Sequence, residues 1–394
     1  VFVLAVGALM GDGSAAYMSL KLGQDEKGEA AKSAAFGLIG SVAAGILIAV
    51  LYLIFMKPLC WALGGTEANF PYALSYGRII ALGVPFVAIS VAYGSIIRAD
   101  GNPRLGMIGL LIGCVLNVIL DPVFIFVCKW GMAGAALATI IGQIVNALIF
   151  LVYVFRGMKC VKIDHSVIKK CPAVAKNVLS LGISSFILQV AIVAAIVIQN
   201  KMVVKCGRES KYGEDIPLAA MGVTMKVFSI VTAFVNGLST GAQPIYGFNY
   251  GAGKYERVKT TFKSVLFAST VMLCVAFVIF QAFPMGVVSI FGSSDELYNE
   301  FAVRCLKIFL AGLPITGLQL ITGTFFQAMG YPVQSSMVSL SRQIVFMIPL
   351  LLVLTSLFGI NGCLYMGPIA DVMSLIFTVI LLRVYWKKIF RKKQ

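Results

Sequence analysis

The sequence has little charge. Of its 394 residues only 12% are Asp, Glu, Lys or Arg, about half the share of an ordinary soluble domain. That leaves too little polar surface for a water-soluble globule, and a 59% hydrophobic content excludes disorder as well. His165 is the sole histidine, so a His-ligated metal centre is not expected. The nine cysteines form no Cys-x-x-Cys pair. They read as free, small core residues and give neither a zinc site nor a disulfide framework. Two Gly-rich segments, Gly11-Asp12-Gly13-Ser14 and Gly237 to Pro244, lack a Walker lysine and follow no strand, so a phosphate cradle is not expected. No nucleophile–base set or cofactor motif is present, and an enzyme is not expected. Acidic residues are scarce too, with 16 against 32 basic ones and a net charge of +16. In a soluble protein that excess would suggest nucleic acid. No Arg-rich stretch interleaved with aromatics supports that partner here.

What the chain has in abundance is apolar length. A helix needs roughly 20 apolar residues to cross the hydrocarbon of a bilayer. Eleven runs qualify: 1–19, 33–56, 73–97, 105–127, 132–155, 178–200, 217–247, 262–284, 301–327, 335–357 and 361–384. They are apolar on all sides, which excludes the alternation of barrel strands. The expected fold class is an all-α membrane protein. Basic residues set its direction. One set of loops, including 156–176, 254–263 and the tail 383–394, carries 21 Lys and Arg, and the opposite set carries six. The richer set, with the C-terminus, is expected in the cytoplasm. The loop at 284–300 is purely acidic, with Asp295, Glu296 and Glu300, and fits the outer face.

The two halves repeat. Gly13 and Gly23 recur as Gly241 and Gly251, and Gly83-Val84-Pro85 recurs as Gly312-Leu313-Pro314. Gly94, Ala99, Gly101 and Pro103 recur as Gly323, Ala328, Gly330 and Pro332, and Gly131 and Gly134 as Gly359 and Gly362. The offset stays at 228 or 229. Recurring glycine and proline imply a recurring backbone path. The expected organisation is an N-lobe over 1–155 with about five spans, a cytoplasmic linker over 156–177, and a C-lobe over 178–394 with six spans and a basic tail. The repeat leaves the N-lobe one helix short, so a first helix and part of the next are expected to precede Val1. Six spans per half give both halves the same orientation, related by an axis along the membrane normal, a two-lobed arrangement that suits alternating access.

A carboxylate inside a bilayer demands a reason. Most of the sixteen acids fall in loops, and Asp12 and Asp100 are placed near helix ends. Asp121 and Asp371 lie inside runs. Asn117 shares a helical face with Asp121, and Pro122 frees a backbone carbonyl beside them. A carboxylate, a carboxamide and a loose carbonyl together can hold a proton or coordinate Na⁺. Asp371 falls opposite Gln143 in the repeat, so it would serve one lobe only. Lys226 is read as the one basic residue near the middle of a span, placed there to snorkel or to pair with a carboxylate. Met225 and its Met and Phe neighbours serve as core, as lipid-facing filler or as the lining of an adaptable cavity. From Gly241 to Gly253 the polar and aromatic character predicts that the chain leaves the helix.

These features together resemble the multidrug and toxic compound extrusion (MATE) transporters. The resemblance rests on Gly13-Ser14 with Leu22-Gly23, on Gly241-Ala242-Gln243-Pro244 with Asn249-Tyr250-Gly251-Ala252-Gly253, and above all on Asn117 to Phe126 followed by Gly131 to Thr139. It spans the whole chain and is closest to the prokaryotic DinF-like or MepA-like branch. It implies two six-helix lobes in a V, here without the first helix, and a monomer that expels organic cations and drugs in exchange for H⁺ or Na⁺. The coupling ion is then the only cofactor, and the setting is the inner or plasma membrane of a prokaryotic cell. It also implies a cation or proton site at Asn117, Asp121 and Thr139, with Tyr76 near by and a further Asp on the helix that precedes this chain. Where another branch has a Glu, this chain has Gln189, which leaves Asp121 as the leading coupling carboxylate. Asp371, Gln189, Met225 and Lys226 are candidates for the substrate cavity. Two alternatives remain: a lipid-linked saccharide flippase of the same superfamily, disfavoured by the few central Lys and Arg, and a passive channel or non-transporting membrane protein.

Overall fold

The computed structural model describes residues 2–62, 70–292 and 295–390. Val1 and residues 391–394 of the basic tail lie outside them. Among the described residues helix is the only regular secondary structure, and eleven segments are long and apolar enough to cross a membrane. They coincide with the eleven apolar runs. The helices are α1 (Phe2–Gly23), α2 (Lys27–Ala62), α3 (Phe70–Ala99), α4 (Pro103–Pro122), α5 (Gly131–Arg156), α6 (His165–Lys170), α7 (Ala175–Arg208), α8 (Asp215–Gly251) and α9 (Tyr255–Ala282). They continue with α10 (Pro284–Ile290), α11 (Glu296–Phe309), α12 (Leu313–Ala328), α13 (Pro332–Leu340), α14 (Ile348–Phe358) and α15 (Ile360–Phe390). Two π-helical segments interrupt the regular pattern: Val123–Val127 follows α4, and Ser341–Met347 joins α13 to α14.

The internal repeat is visible in the backbone. The turns after α1 and α8 carry positive φ at Asp25 (60°) and Gly253 (71°), 228 apart. Those after α3 and α12 do so at Gly101 (80°) and Gly330 (84°), and those before α5 and α15 at Gly131 (53°) and Gly359 (55°). Pro103 and Pro332 then open α4 and α13 in the first turn, where a missing N–H leaves nothing unsatisfied. Both halves thus break and restart their helices at matching places.

Packing divides the chain into two compact units. The first holds residues 1–186 and 250–253, and the second holds 187–249 and 254–394. The first unit includes the 156–177 segment and the opening turns of α7. Small residues draw α7 onto α1, since a Cβ at Gly182 would lie 1.9 Å from the Leu9 carbonyl oxygen. Tyr93, Ile96, Ile97, Phe150 and Met18 fill the core of this unit. In the second unit an aromatic group does so, with Phe325 4.6 Å from Phe262 and 5.3 Å from Tyr246 between ring centres.

Two expectations change. The chain does not leave the helix at Gly241, because α8 continues to Gly251. Its polar side chains find partners within the bundle: Gln243 Nε2 donates to Gln327 Oε1 at 3.4 Å, and Asn249 Nδ2 to the Ile245 carbonyl at 2.9 Å. Nor are the cysteines uniformly core. Of the eight described, Cys171, Cys206, Cys305 and Cys363 are buried, and Cys114, Cys128, Cys160 and Cys274 are exposed. Cys114 and Cys274 lie in spans, where an exposed thiol carries little penalty, so burial does not select for it.

The linker is tied down by one side chain. Asp100, fully buried just past α3, accepts from the Tyr153 hydroxyl at 2.6 Å and from the Lys159 and Cys160 amides at 2.7 and 2.9 Å. Partial desolvation of its sulfur and the Asp100 charge push the thiol of the otherwise exposed Cys160 above its usual range. Asp100→Ala leaves two amide donors without their charged acceptor and is expected to cost about 3 kcal/mol, read as a lower melting midpoint and faster hydrogen exchange at Lys159 and Cys160. Asp100→Asn removes a charge that disfavours the thiolate, so alkylation of Cys160 at pH 8 is expected to accelerate.

Candidate functional site

The first unit gathers polar groups where α4 meets α5. Gly106, Gly109 and Gly113 are the buried residues of α4. Their spacing makes one bare stripe along the helix. On α5 the facing stripe is Gly134, Ala138, Gly142 and Asn146. A Cβ on Gly142 would stand 2.6 Å from the Gly113 carbonyl oxygen, and one on Gly113 would stand 2.9 Å from that of Gly142. Close backbones of this kind hold helices together in lipid, where hydrophobic attraction between helices is absent.

Asn117 continues the α4 stripe one turn on, and Asp121 a further turn. Asn117 Nδ2 donates to Thr139 Oγ1 across the seam at 3.3 Å, and that hydroxyl donates to the Ala135 carbonyl at 3.0 Å. Asp121 Oδ1 is buried and has no hydrogen-bond partner among the described residues. Pro122 follows, and the chain passes at once into the π-helical Val123–Val127. Proline has no N–H, and the wider turn shifts the register of the bonds around it. The span runs from Pro103 to Val127, which places Asp121 in its last third. The structure therefore brings Asn117 and Thr139 into contact, with Asp121 one turn further along α4 from Asn117. Tyr76 lies half-buried near the start of α3, and no hydrogen bond links it to the three among the described residues. An amide, a hydroxyl and a carboxylate oxygen without a partner form an oxygen-rich set that suits a proton or a hard cation.

The second unit corrects one reading. Lys226 is exposed on α8, and no ion pair joins it to a carboxylate among the described residues. It is not the only base inside a span. Arg342 lies in the π-helical segment of 332–358, and its Nε donates to Asp371 Oδ1 at 2.5 Å. Their side chains are 8% and 2% exposed. The signal was available, since Arg342 is the only charged residue in the run 335–357. Its partner, 29 residues away, was not. Met225 and Gln189 are half-buried on α8 and α7, and no hydrogen bond joins Gln189 to Lys226 or Asp371 among the described residues.

Asp12 also departs from expectation. It sits midway along α1 rather than near its end. Ser95 and Ser185 donate to its two oxygens at 2.7 and 2.8 Å, and Arg98 donates to Ser95 at 2.9 Å. Hydroxyls from two other helices replace the water that an aspartate near a helix end would use.

If the α4–α5 seam sets the geometry at Asn117, widening it will break the Asn117–Thr139 bond. Gly142→Val is expected to cost about 2–3 kcal/mol by overpacking. Gly222→Val, where a Cβ meets nothing within 4 Å, is expected to leave the melting midpoint nearly unchanged. Thermal unfolding of both variants checks this.

The sequence matches the MatE family over residues 1–123 and 209–353. It is 25% identical over 369 residues to the multidrug export protein MepA of Staphylococcus aureus (strain N315), covering 94% of this chain and 80% of that protein. Against MepA of Staphylococcus haemolyticus (strain JCSC1435) the identity is 27%, with 94% and 79% covered. An outward-facing multidrug resistance MATE family transporter of the MOP superfamily superposes with a TM-score of 0.92 at 21% identity, over 100% of this chain and 86% of that one. A MOP superfamily transporter from Pyrococcus furiosus gives 0.92 at 20% identity, with the same coverage. Family motifs, chain-long relatives and fold agree: this multi-pass membrane protein belongs to the MatE family.

Proposed function

We propose that the protein is a multidrug efflux antiporter that exports organic cations across a prokaryotic cell membrane in exchange for H⁺ or Na⁺. The observation that carries this reading is the buried Asp121 oxygen without a partner, beside the bonded pair Asn117 and Thr139. A carboxylate in a low-dielectric span is stable only when a positive ion or a hydrogen-bond donor accompanies it. Asp371 has Arg342 and Asp12 has two serines, so Asp121 is the carboxylate left to take its partner from solution. With the Asn117 amide N–H directed to Thr139, its carbonyl oxygen remains to face an ion. The relatives named as multidrug export proteins support drugs as the cargo. The count of 21 basic residues against six supports a cytoplasmic C-terminus.

The cycle follows from charge. When Asp121 is loaded with H⁺ or Na⁺, the first unit contains no free negative charge at the seam, and an organic cation gains nothing there. When Asp121 is bare, it favours the arrangement that brings a cation to it. Each ligand shifts the equilibrium only by its differential affinity for the two arrangements. Pro122 and the π-helical turn after it supply the place where α4 bends between them.

Asp121→Asn keeps the shape and removes the titratable charge. In the intact transporter it is expected to reduce drug resistance to that of cells without the protein, at unchanged membrane abundance. Drug export equal to the parent protein would remove Asp121 from the mechanism. In proteoliposomes, efflux of a fluorescent cation under a pH gradient and then under a Na⁺ gradient identifies the coupling ion. Flux independent of both gradients would indicate a channel.

A further inference from the structure

The surroundings of Arg342 form a cation cradle. Asp371 Oδ1 lies 2.5 Å from its Nε, and the guanidinium carbon stands 5.0 Å from the centre of the Phe228 ring. Gly312 makes room for the carboxylate, since a Cβ there would lie 2.3 Å from Asp371 Oδ2. Ser341 and Ser374, 3.3 Å apart, line the same crossing. A carboxylate and an aromatic face around one point are the recognition set for an organic cation. Here a side chain of the protein fills it.

Stability by itself does not demand an ion pair at this crossing. Buried ion pairs are often replaced by apolar residues without loss of stability. The first unit supplies the comparison within the same chain. There the corresponding crossing of α4 and α5 is closed by Gly113 and Gly142, without an ion pair. Arg342 also lies in the π-helical segment Ser341–Met347. The segment's hydrogen bonds span five residues where those of an α-helix span four, and its register can slide and turn a side chain away. π-bulges of this type recur at functional sites.

We propose that Asp371 and Phe228 form an organic-cation subsite inside the second unit, which Arg342 occupies as a tethered competitor. Entry of the cation displaces Arg342 through a change of register in the Ser341–Met347 segment. Asp371 keeps a positive partner throughout, so the exchange never strands a bare carboxylate in hydrocarbon. This rests on organic cations being the cargo, as proposed above.

The test uses tetraphenylphosphonium as the probe, with the intact transporter in detergent. A tethered competitor lowers apparent affinity by the fraction of time it occupies the site. Arg342→Met is therefore expected to bind the probe about tenfold more tightly than the parent, and Arg342→Met with Asp371→Asn is expected to lose that gain. Equal or weaker binding by folded Arg342→Met overturns the subsite while leaving the antiporter reading intact. Absence of binding by parent and variant alike overturns both. A second measurement does not depend on Arg342→Met folding. In Ser341→Cys, maleimide labelling of the buried position 341, followed at the peptide level, is expected to rise when the probe is added. Labelling that does not change on addition of the probe overturns the displacement.

Discussion

A negative charge in hydrocarbon needs a partner, and this constraint shapes the interior of the protein. Among the described residues, Asp12, Asp121 and Asp371 are the carboxylates that lie well over a turn from either end of their spans, and each meets the constraint differently. Asp12 is held by hydroxyls from α3 and α7, with Arg98 behind one of them. Asp371 is neutralised by Arg342. Asp121 keeps one buried oxygen without a partner. A transporter that trades ions requires a carboxylate whose positive partner can be exchanged, and Asp121 takes none from the protein at that oxygen.

Glycine makes the arrangement possible. In lipid, helices adhere through close contact rather than hydrophobic exclusion. The bare stripes on α4 and α5 bring their backbones together, and only then does Asn117 reach Thr139. At Gly312 the missing side chain admits the Asp371 carboxylate. The same residue type thus seals one helix crossing and opens room for charge at another.

The repeat gives both units the same breaks and turns, down to the sign of φ at Asp25 and Gly253. What differs is what occupies equivalent places. The helix crossing that carries a glycine contact in the first unit carries an ion pair in the second, and in each unit one of the crossing spans contains a π-helical segment. Two copies of one backbone have taken on different chemistry while keeping their path, because side chains can diverge at a crossing without moving the helix ends.

The sequence by itself determined the membrane class, the eleven spans and the repeat. Those follow from apolar run length and from glycine and proline spacing, which act locally along the chain. It also marked Asn117 and Asp121, since residues four apart on a helix share a face. Thr139 entered only through the family resemblance. The tertiary structure decided which charged groups have partners. Arg342 and Asp371 lie 29 residues apart and Asp12 and Ser185 lie 173 apart, and no periodicity links such positions. The continuation of α8 to Gly251 was likewise hidden. Polar residues such as Gln243 read as a helix end until the bundle supplies hydrogen bonds, and those bonds exist only once the other helices are in place.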